Sequence, residues 1–453
     1  MKKFLSLGLL FSLVLSACDS NDISSIPQVT EEPQGLYEVM NRPEIGGSVY
    51  QNLKVTPTLP KDNKERKAVK LTYLMTDDEA HQSPWSGKMF LMMDDLEQKN
   101  VHNVVFRDGG KVGDSQISYL VKKGIDPEKV ENAYSYLSPE VKEVQSNNPR
   151  LFSRIIEWTF DTYKGNKKYL QIYTHGGGVF GIGMDAHQTD LAGTELEPAQ
   201  KIGIMSPQNF GEALKQGLKG RKLDLIYFRA CLMGNLEALY ELRDTTKYVL
   251  ASEDVSYSKE NSNIIMTKMF EDLASKDTDP KEVAYQMSIQ GNGKKGSSGG
   301  YTTFAAFDIS KIDELKTAVN ELSLSLKSAL NTEKEAILSA YDSVPTIQGD
   351  EITDKANENQ RDLWRFTAEL DKKVQSESVK KAVQRVRNMQ KSFMIHEKDT
   401  FGTSANGLSI FMPFRENLAK DKPLYRFLTG NYTKRKFVKD SAWDDFLLSL
   451  PSK

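Results

Sequence analysis

From about residue 67, short apolar runs alternate with longer stretches of helical spacing. Residues 71–75, 101–106, 169–173, 223–228 and 248–250 are almost continuously apolar or aromatic, as strands buried on both faces are. Between them, 86–99 (with Leu91, Met92 and Leu96), 149–163 (with Ile155, Ile156, Trp158 and Phe160), 210–218 and 232–242 carry helical spacing. This alternation predicts an α/β fold, a mainly parallel sheet flanked by helices. Sheets of that kind hold their chemistry in the crevice beyond the C-terminal strand ends. The second half changes character. Amphipathic helices are predicted near 310–328, 333–343 and 359–390, forming a helix-rich C-terminal region, and 407–413 reads as a late buried strand. No internal repeat is present.

The first residues set the expected compartment. Lys2 and Lys3 precede a mostly apolar stretch, residues 4–15, too short for an ordinary membrane span and suited to a signal peptide. The segment ends Leu15-Ser16-Ala17-Cys18, which resembles the lipobox of bacterial lipoproteins, whose cysteine is lipidated and becomes the first residue. The competing reading is an ordinary signal peptide with an incidental cysteine. The expectation is an exported lipoprotein, anchored in the membrane by an N-terminal lipid at the cell envelope or surface, with lipidation at Cys18. Asp19 and Asp22 read as a sorting signal or as solvated linker. Residues 19–66 are polar and include Pro27, Pro33, Pro43, Pro57 and Pro60, the composition of a tether. The expected organisation is signal peptide 1–17, tether and extension 18–66, catalytic core 67–300 and C-terminal region 301–453.

Composition narrows the classes. The 453 residues are 39% hydrophobic and 27% charged, and the formal net charge is −2. These are proportions of a soluble globular protein, and they give no support for nucleic-acid binding through a basic surface. Cys18 and Cys231 are the two cysteines, which excludes a disulfide framework or cysteine-rich metal site and leaves one bridge open. The glycine-rich stretch 291–300 reads as a flexible loop. Its Lys294 and Lys295 lack P-loop spacing, and no H-E-x-x-H cluster supports a metal hydrolase.

Two residues carry the candidate chemistry. Cys231 follows the 223–228 strand and is expected to open the 232–242 helix, where the helix dipole and free backbone N–H groups favour thiolate. His175 follows the 169–173 strand in Tyr173-Thr174-His175-Gly176-Gly177-Gly178. Adjacent parallel strands would bring the imidazole and the sulfur together across the crevice, and the glycine N–H groups would form a nest or oxyanion hole. The bland readings are a buried structural cysteine and a glycine turn with a bystander histidine.

With these residues in view, the sequence resembles the clostripain family of cysteine peptidases, which share the caspase-like fold. The resemblance rests on the strand-His-Gly of 169–178, the strand followed by Cys231-Leu232-Met233-Gly234 and Glu237, the 248–253 stretch and the late 407–413 strand, and it extends over roughly residues 66–450. It implies Cys231 as nucleophile, His175 as general base and acid, and the N–H groups of Gly176 and Cys231 as oxyanion donors. It implies peptide hydrolysis through a thioester, without a third catalytic carboxylate.

One departure bears on specificity. The family usually has Asp two residues before the cysteine, lining the S1 pocket for a basic P1 side chain, where this chain has Arg229. Charge reversal disfavours Arg or Lys at P1 and favours an acidic residue. Alternatively Arg229 turns away to a structural carboxylate; Glu253 and Asp254 are the acids that would pair with it or restore a basic-selective S1 pocket. Family members often cleave themselves after a basic residue between His and Cys. Here residues 176–200 lack Lys and Arg but hold Asp185, Asp190, Glu195 and Glu197. The acidic loop is therefore one candidate self-cleavage site, and Lys201 or the 219–222 stretch another. The sequence identifies no certain metal or cofactor, and calcium stays open. Calcium, used by some relatives, would draw on Asp185 and Asp190, without EF-hand spacing. The competing functions are an inactive peptidase-fold binding lipoprotein and a thiol acyltransferase; the substrates expected of a peptidase are proteins or peptides.

Overall fold

The computed structural model describes residues 53–76, 99–109, 113–120, 134–138, 141, 143–183, 185, 188, 203–256, 260–291, 303–347, 359–396 and 405–453. The lipobox with Cys18, the 86–98 part of the expected helix and the 292–300 loop lie outside them. Among the described residues no helix is long and apolar enough to cross a membrane.

The apolar runs are strands. β1 (Arg66–Met75), β2 (Val101–Asp108), β5 (Gly165–Tyr173), β6 (Leu223–Arg229) and β7 (Thr246–Ser252) form the parallel centre of a nine-stranded sheet. β3 (Gln116–Tyr119) and β4 (Tyr134–Ser135) extend it antiparallel beyond β2; β8 (Phe304–Asp308) and β10 (Met394–His396) do so beyond β7. Thus the region after residue 301 adds strands to the sheet that carries His175 and Cys231. A separate two-stranded ribbon pairs β9 (Gln360–Asp362) with β11 (Ser409–Phe411).

Helices cover both faces. α1 (Pro149–Thr162) and α2 (Pro207–Leu218) start at Asn-Pro and Ser-Pro, where Asn148 and Ser206 cap the first turn and proline occupies the first helical position. Their apolar stripes pack with Leu71, Tyr73, Ile172, Ile226 and Phe228. Helices α6 (Ile312–Ser343), α7 (Leu363–Lys373), α8 (Glu377–Phe393) and α9 (Trp443–Ser449) join the same core. The opposite face, with Tyr169, Leu225, Tyr227 and Leu250, lies under α4 (Glu260–Ser275) and α5 (Pro280–Gly291). There a buried Lys70–Glu271 pair, 2.8 Å apart, ties α4 to β1.

Several sequence expectations change. The tether reading of 18–66 ends too late: Leu53 and Leu59 are in the core, and Thr56 N donates to Leu137 O at 2.7 Å. The single helix expected over 359–390 is β9, α7 and α8, because Asp362 caps α7 and Val374 is extended after it. The break expected between 328 and 333 is a kink at Glu333 inside α6.

Candidate active site at the ends of β5 and β6

The register sets the site. Tyr173 of β5 is opposite Arg229 of β6, and Thr174 N still donates to Arg229 O at 3.3 Å. His175 and Cys231 each follow two residues later, at matching positions beyond the C-terminal ends of adjacent parallel strands. Both are 3% exposed.

The histidine turn folds back on itself. Gly177 N donates to Gly181 O at 2.8 Å, Gly183 N to His175 O at 3.0 Å, and Ile182 pairs with Met205. A side chain on Gly176 would collide with the Cys231 carbonyl oxygen, so its absence lets the two loops touch backbone to backbone. The Gly176 N–H has no backbone acceptor among the described residues.

The cysteine loop corrects an expectation. Cys231 does not open a helix. Leu232 adopts a left-handed φ of 62°, its N–H donates to Asp254 O at 3.1 Å, and Gly234 N donates to Ser252 O at 2.7 Å. The chain therefore keeps bonding to the β7 edge, and the helix waits until Asn235, which caps the five-residue α3 (Leu236–Tyr240). What faces the sulfur is the Ser256 N–H, 3.3 Å from Sγ. A donor at that distance favours thiolate as the helix terminus was expected to. Cys231 is not a free thiol in this structure, so any nucleophilic role belongs to its reduced form.

Glu253 parts from the other residues expected to line S1. Arg229 is buried, its guanidinium 5.5 Å from the Phe304 ring centroid. Glu253 does not face it: Oε2 accepts from Gly407 N at 2.5 Å, and its carboxyl meets that of Asp362. Burial, then the adjacent Asp362, hold the Glu253 carboxyl well above the usual range. Asp362 is pushed up to about 6 by burial, opposed by the N–H groups of Arg365 and Asn406. Asp254 lies two residues past the end of β7 and accepts from Val255 N at 2.6 Å through Oδ1. Glu237, in the cysteine motif, is a brace: Oε1 accepts from Phe411 N at 2.9 Å and from Tyr432 OH at 2.7 Å.

The buried carboxyl pair has a pH consequence. Folded-state values above the unfolded ones mean that stability is fully present below about pH 4, and is lost as pH rises through about 6. The melting temperature is expected to fall by about 2–4 °C between pH 5 and pH 8. Glu253→Gln removes one titrating partner and should flatten that fall. Thermal unfolding at pH 5, 6.5 and 8 checks it, and an unchanged slope in the variant would reject the assignment.

Other expected sites resolve as follows. Asp185 is buried and accepts from Ser146 N at 2.7 Å, so it faces inward. Asp190, Glu195, Glu197 and Lys201 lie outside the described residues. The 219–222 stretch is bound to α1 through Lys219–Glu157 and Arg221–Asp161 contacts of 2.6 Å. It precedes β6, about 23 Å from Cys231 at ~3.3 Å per strand residue. One acidic cluster was not anticipated: Asp108, Asp114 and Glu143 bring carboxylate oxygens within 4.8 Å of one another. Ser115 Oγ and the N–H groups of Gly109 and Gly113 bond these carboxylates, and burial pushes the Glu143 carboxyl up.

The profile of the clostripain family matches residues 77–449. The chain belongs to the clostripain family. Its fold is shared with the structure of an inactive zymogen C11 protease from Parabacteroides distasonis. That match has a TM-score of 0.55 and 14% identity, covering 84% of this chain and 99% of that one. A secreted C11 cysteine protease from Bacteroides thetaiotaomicron, solved with an irreversible peptide inhibitor, gives a TM-score of 0.53 at 14% identity over 84% and 99%. Comparison with curated proteins gives no match. This clostripain-family chain thus has the fold of cysteine proteases, and its His175 and Cys231 lie just beyond the C-terminal ends of β5 and β6.

Proposed function

We propose that the chain is a membrane-tethered cysteine endopeptidase with a Cys231–His175 dyad. The observation that carries this reading is the β5–β6 register, which sets both residues at matching positions past neighbouring strand ends. Reduced Cys231 passes its proton to His175, and the thiolate, favoured by the Ser256 N–H, attacks the scissile carbonyl. The N–H groups of Gly176 and Cys231 hold the oxyanion. His175 then protonates the leaving amine as the thioester forms, and afterwards takes a proton from the water that hydrolyses it. The tether is the N-terminal lipid on Cys18, supported by the lipobox sequence.

Arg229 is the specificity residue in this reading. Glu253 is turned to Gly407 and Asp362, so it does not restore a basic-selective pocket. Arg229, standing where the family usually has Asp, favours an acidic P1 side chain over a basic one. A peptide library varied at P1, incubated with reductant and with or without calcium, tests both levels. We expect cleavage after Asp or Glu at least tenfold faster than after Arg or Lys, and Arg229→Asp should invert the order. Wild-type cleavage after Arg or Lys would retain the peptidase and sink the charge-reversal reading. Absence of free carboxyl products, with acyl transfer to an added amine, would point to a transferase.

A further inference from the structure

The ribbon β9–β11 lies outside the main sheet yet touches both loops of the site. Gln360, at the start of β9 and 0% exposed, spans the turn behind His175. Its Oε1 accepts from Val179 N at 3.2 Å and its Nε2 donates to Gly177 O at 3.2 Å. One carboxamide thus satisfies an N–H and a C=O of the same turn, which only a group carrying a donor and an acceptor side by side can do. Gly178 adopts a φ of 58°, and a Cβ there would strike both Gln360 Oε1 and the Leu232 carbonyl oxygen. The turn therefore lies against Gln360 and the cysteine loop at the same point. Arg435 adds a second buried hold, donating to Val179 O at 3.2 Å.

The other end of the ribbon grips the cysteine loop. Ser409 N donates to Gly234 O at 2.8 Å, and Asn235 Nδ2 to Ser409 Oγ at 3.3 Å. Within the ribbon, Gln360 pairs with Phe411 and Asp362 with Ser409.

We infer that Gln360 is a positioning residue. Its carboxamide fixes the Gly176–Val179 turn, and through the ribbon it holds the His175 loop in register with the Cys231 loop. The inference rests on the proposed dyad for its effect on turnover, while its geometry is independent of that dyad. Gln360 does not reach substrate, since both polar ends are engaged by backbone.

The test uses the full chain under reducing conditions, with Gln360→Glu and the near-isosteric Gln360→Met. At pH 8 the carboxylate of the first sets an acceptor against Gly177 O, and the second removes both bonds. We expect kcat on the best library peptide to fall about 30-fold or more in both, with KM within about twofold. Gln360→Glu should recover relative to wild type near pH 5.5, where a protonated carboxyl again offers a donor. A second readout is the pH profile of Cys231 alkylation by iodoacetamide, followed by mass, which needs no peptide hydrolysis. Its inflection should move upward in both variants as His175 leaves the sulfur. Unchanged kcat and an unchanged inflection overturn the inference, as does a rise in KM alone. Loss of folding in both variants would also overturn it, in favour of a purely structural role. If wild type hydrolyses nothing but the inflection still moves, the peptidase reading falls and the positioning role stands.

Discussion

Cys231→Ala and His175→Ala are each expected to lower kcat/KM for peptide hydrolysis at least about 1,000-fold, and the double variant should be no worse than either. β5 and β6 are parallel neighbours, and Tyr173 is registered with Arg229, so one imidazole and one sulfur follow at the same height. The Ser256 N–H, 3.3 Å from Sγ, supports the anion but offers no route for its proton, which needs a base. Without the sulfur there is no acyl intermediate; without the imidazole the thiol stays protonated and the leaving amine receives no proton. In the proposed dyad the two act as a unit, hence the expected lack of additivity. Steady-state hydrolysis with reductant checks this, alongside thermal unfolding. Cys231→Ala should keep the wild-type melting temperature within a few degrees, because one small buried side chain replaces another. Activity above a tenth of wild type in either single variant would reject the dyad.

Gly176→Ala is the second large effect. The added methyl would strike the Cys231 carbonyl oxygen, and Ala230 Cβ would lie 3.1 Å away. The first of these is backbone and cannot swing aside, so the loops must separate. Displacement on the order of 1 Å at a reacting pair costs about 100-fold in rate, and overpacking costs roughly 1–3 kcal/mol in stability. Gly220→Ala is the matched control. Its φ of 84° also disfavours alanine, but nothing lies within 4 Å of the added methyl, and it sits before β6, at the opposite end from Cys231. Lower stability with normal kcat is expected there. Equal kcat losses in the two variants would show that Gly176 acts through stability alone.

Much of the central sheet was legible because strands covered on both faces must be apolar throughout. β1, β2, β5, β6 and β7 announce themselves in that way, and so do the turns holding His175 and Cys231. β3, β8 and β10 are short antiparallel additions of four, five and three residues; β3 and β10 lack such runs, and the four apolar residues of β8 make too short a run to stand out. α4 escaped because polar positions on its buried side, Thr267 and Glu271, answer Gln171 and Lys70 across the sheet face, which blurs helical periodicity. Cys231 is expected at a helix start because 232–242 has helical spacing; the carbonyls of Ser252, at the end of β7, and of Asp254 just beyond it take the N–H groups of Gly234 and Leu232 instead. Glu253 was read as a pocket acid because sequence proximity was the available clue, whereas Gly407 and Asp362 lie more than a hundred residues onward. Gln360 and Ser256 left no signal, since one grips main-chain atoms far away and the other contributes only its own N–H.

The reach of β11 back to Gly234 has a bearing on biosynthesis. A nascent chain carries His175 and Cys231 long before it carries Ser409, yet the bond from Ser409 N to Gly234 O exists only once that strand has emerged. The loops are then clamped from both sides for the first time. A fragment released early therefore holds both residues without the ribbon's bond to the cysteine loop. The order of the elements along the chain makes that bond one of the last the fold can form.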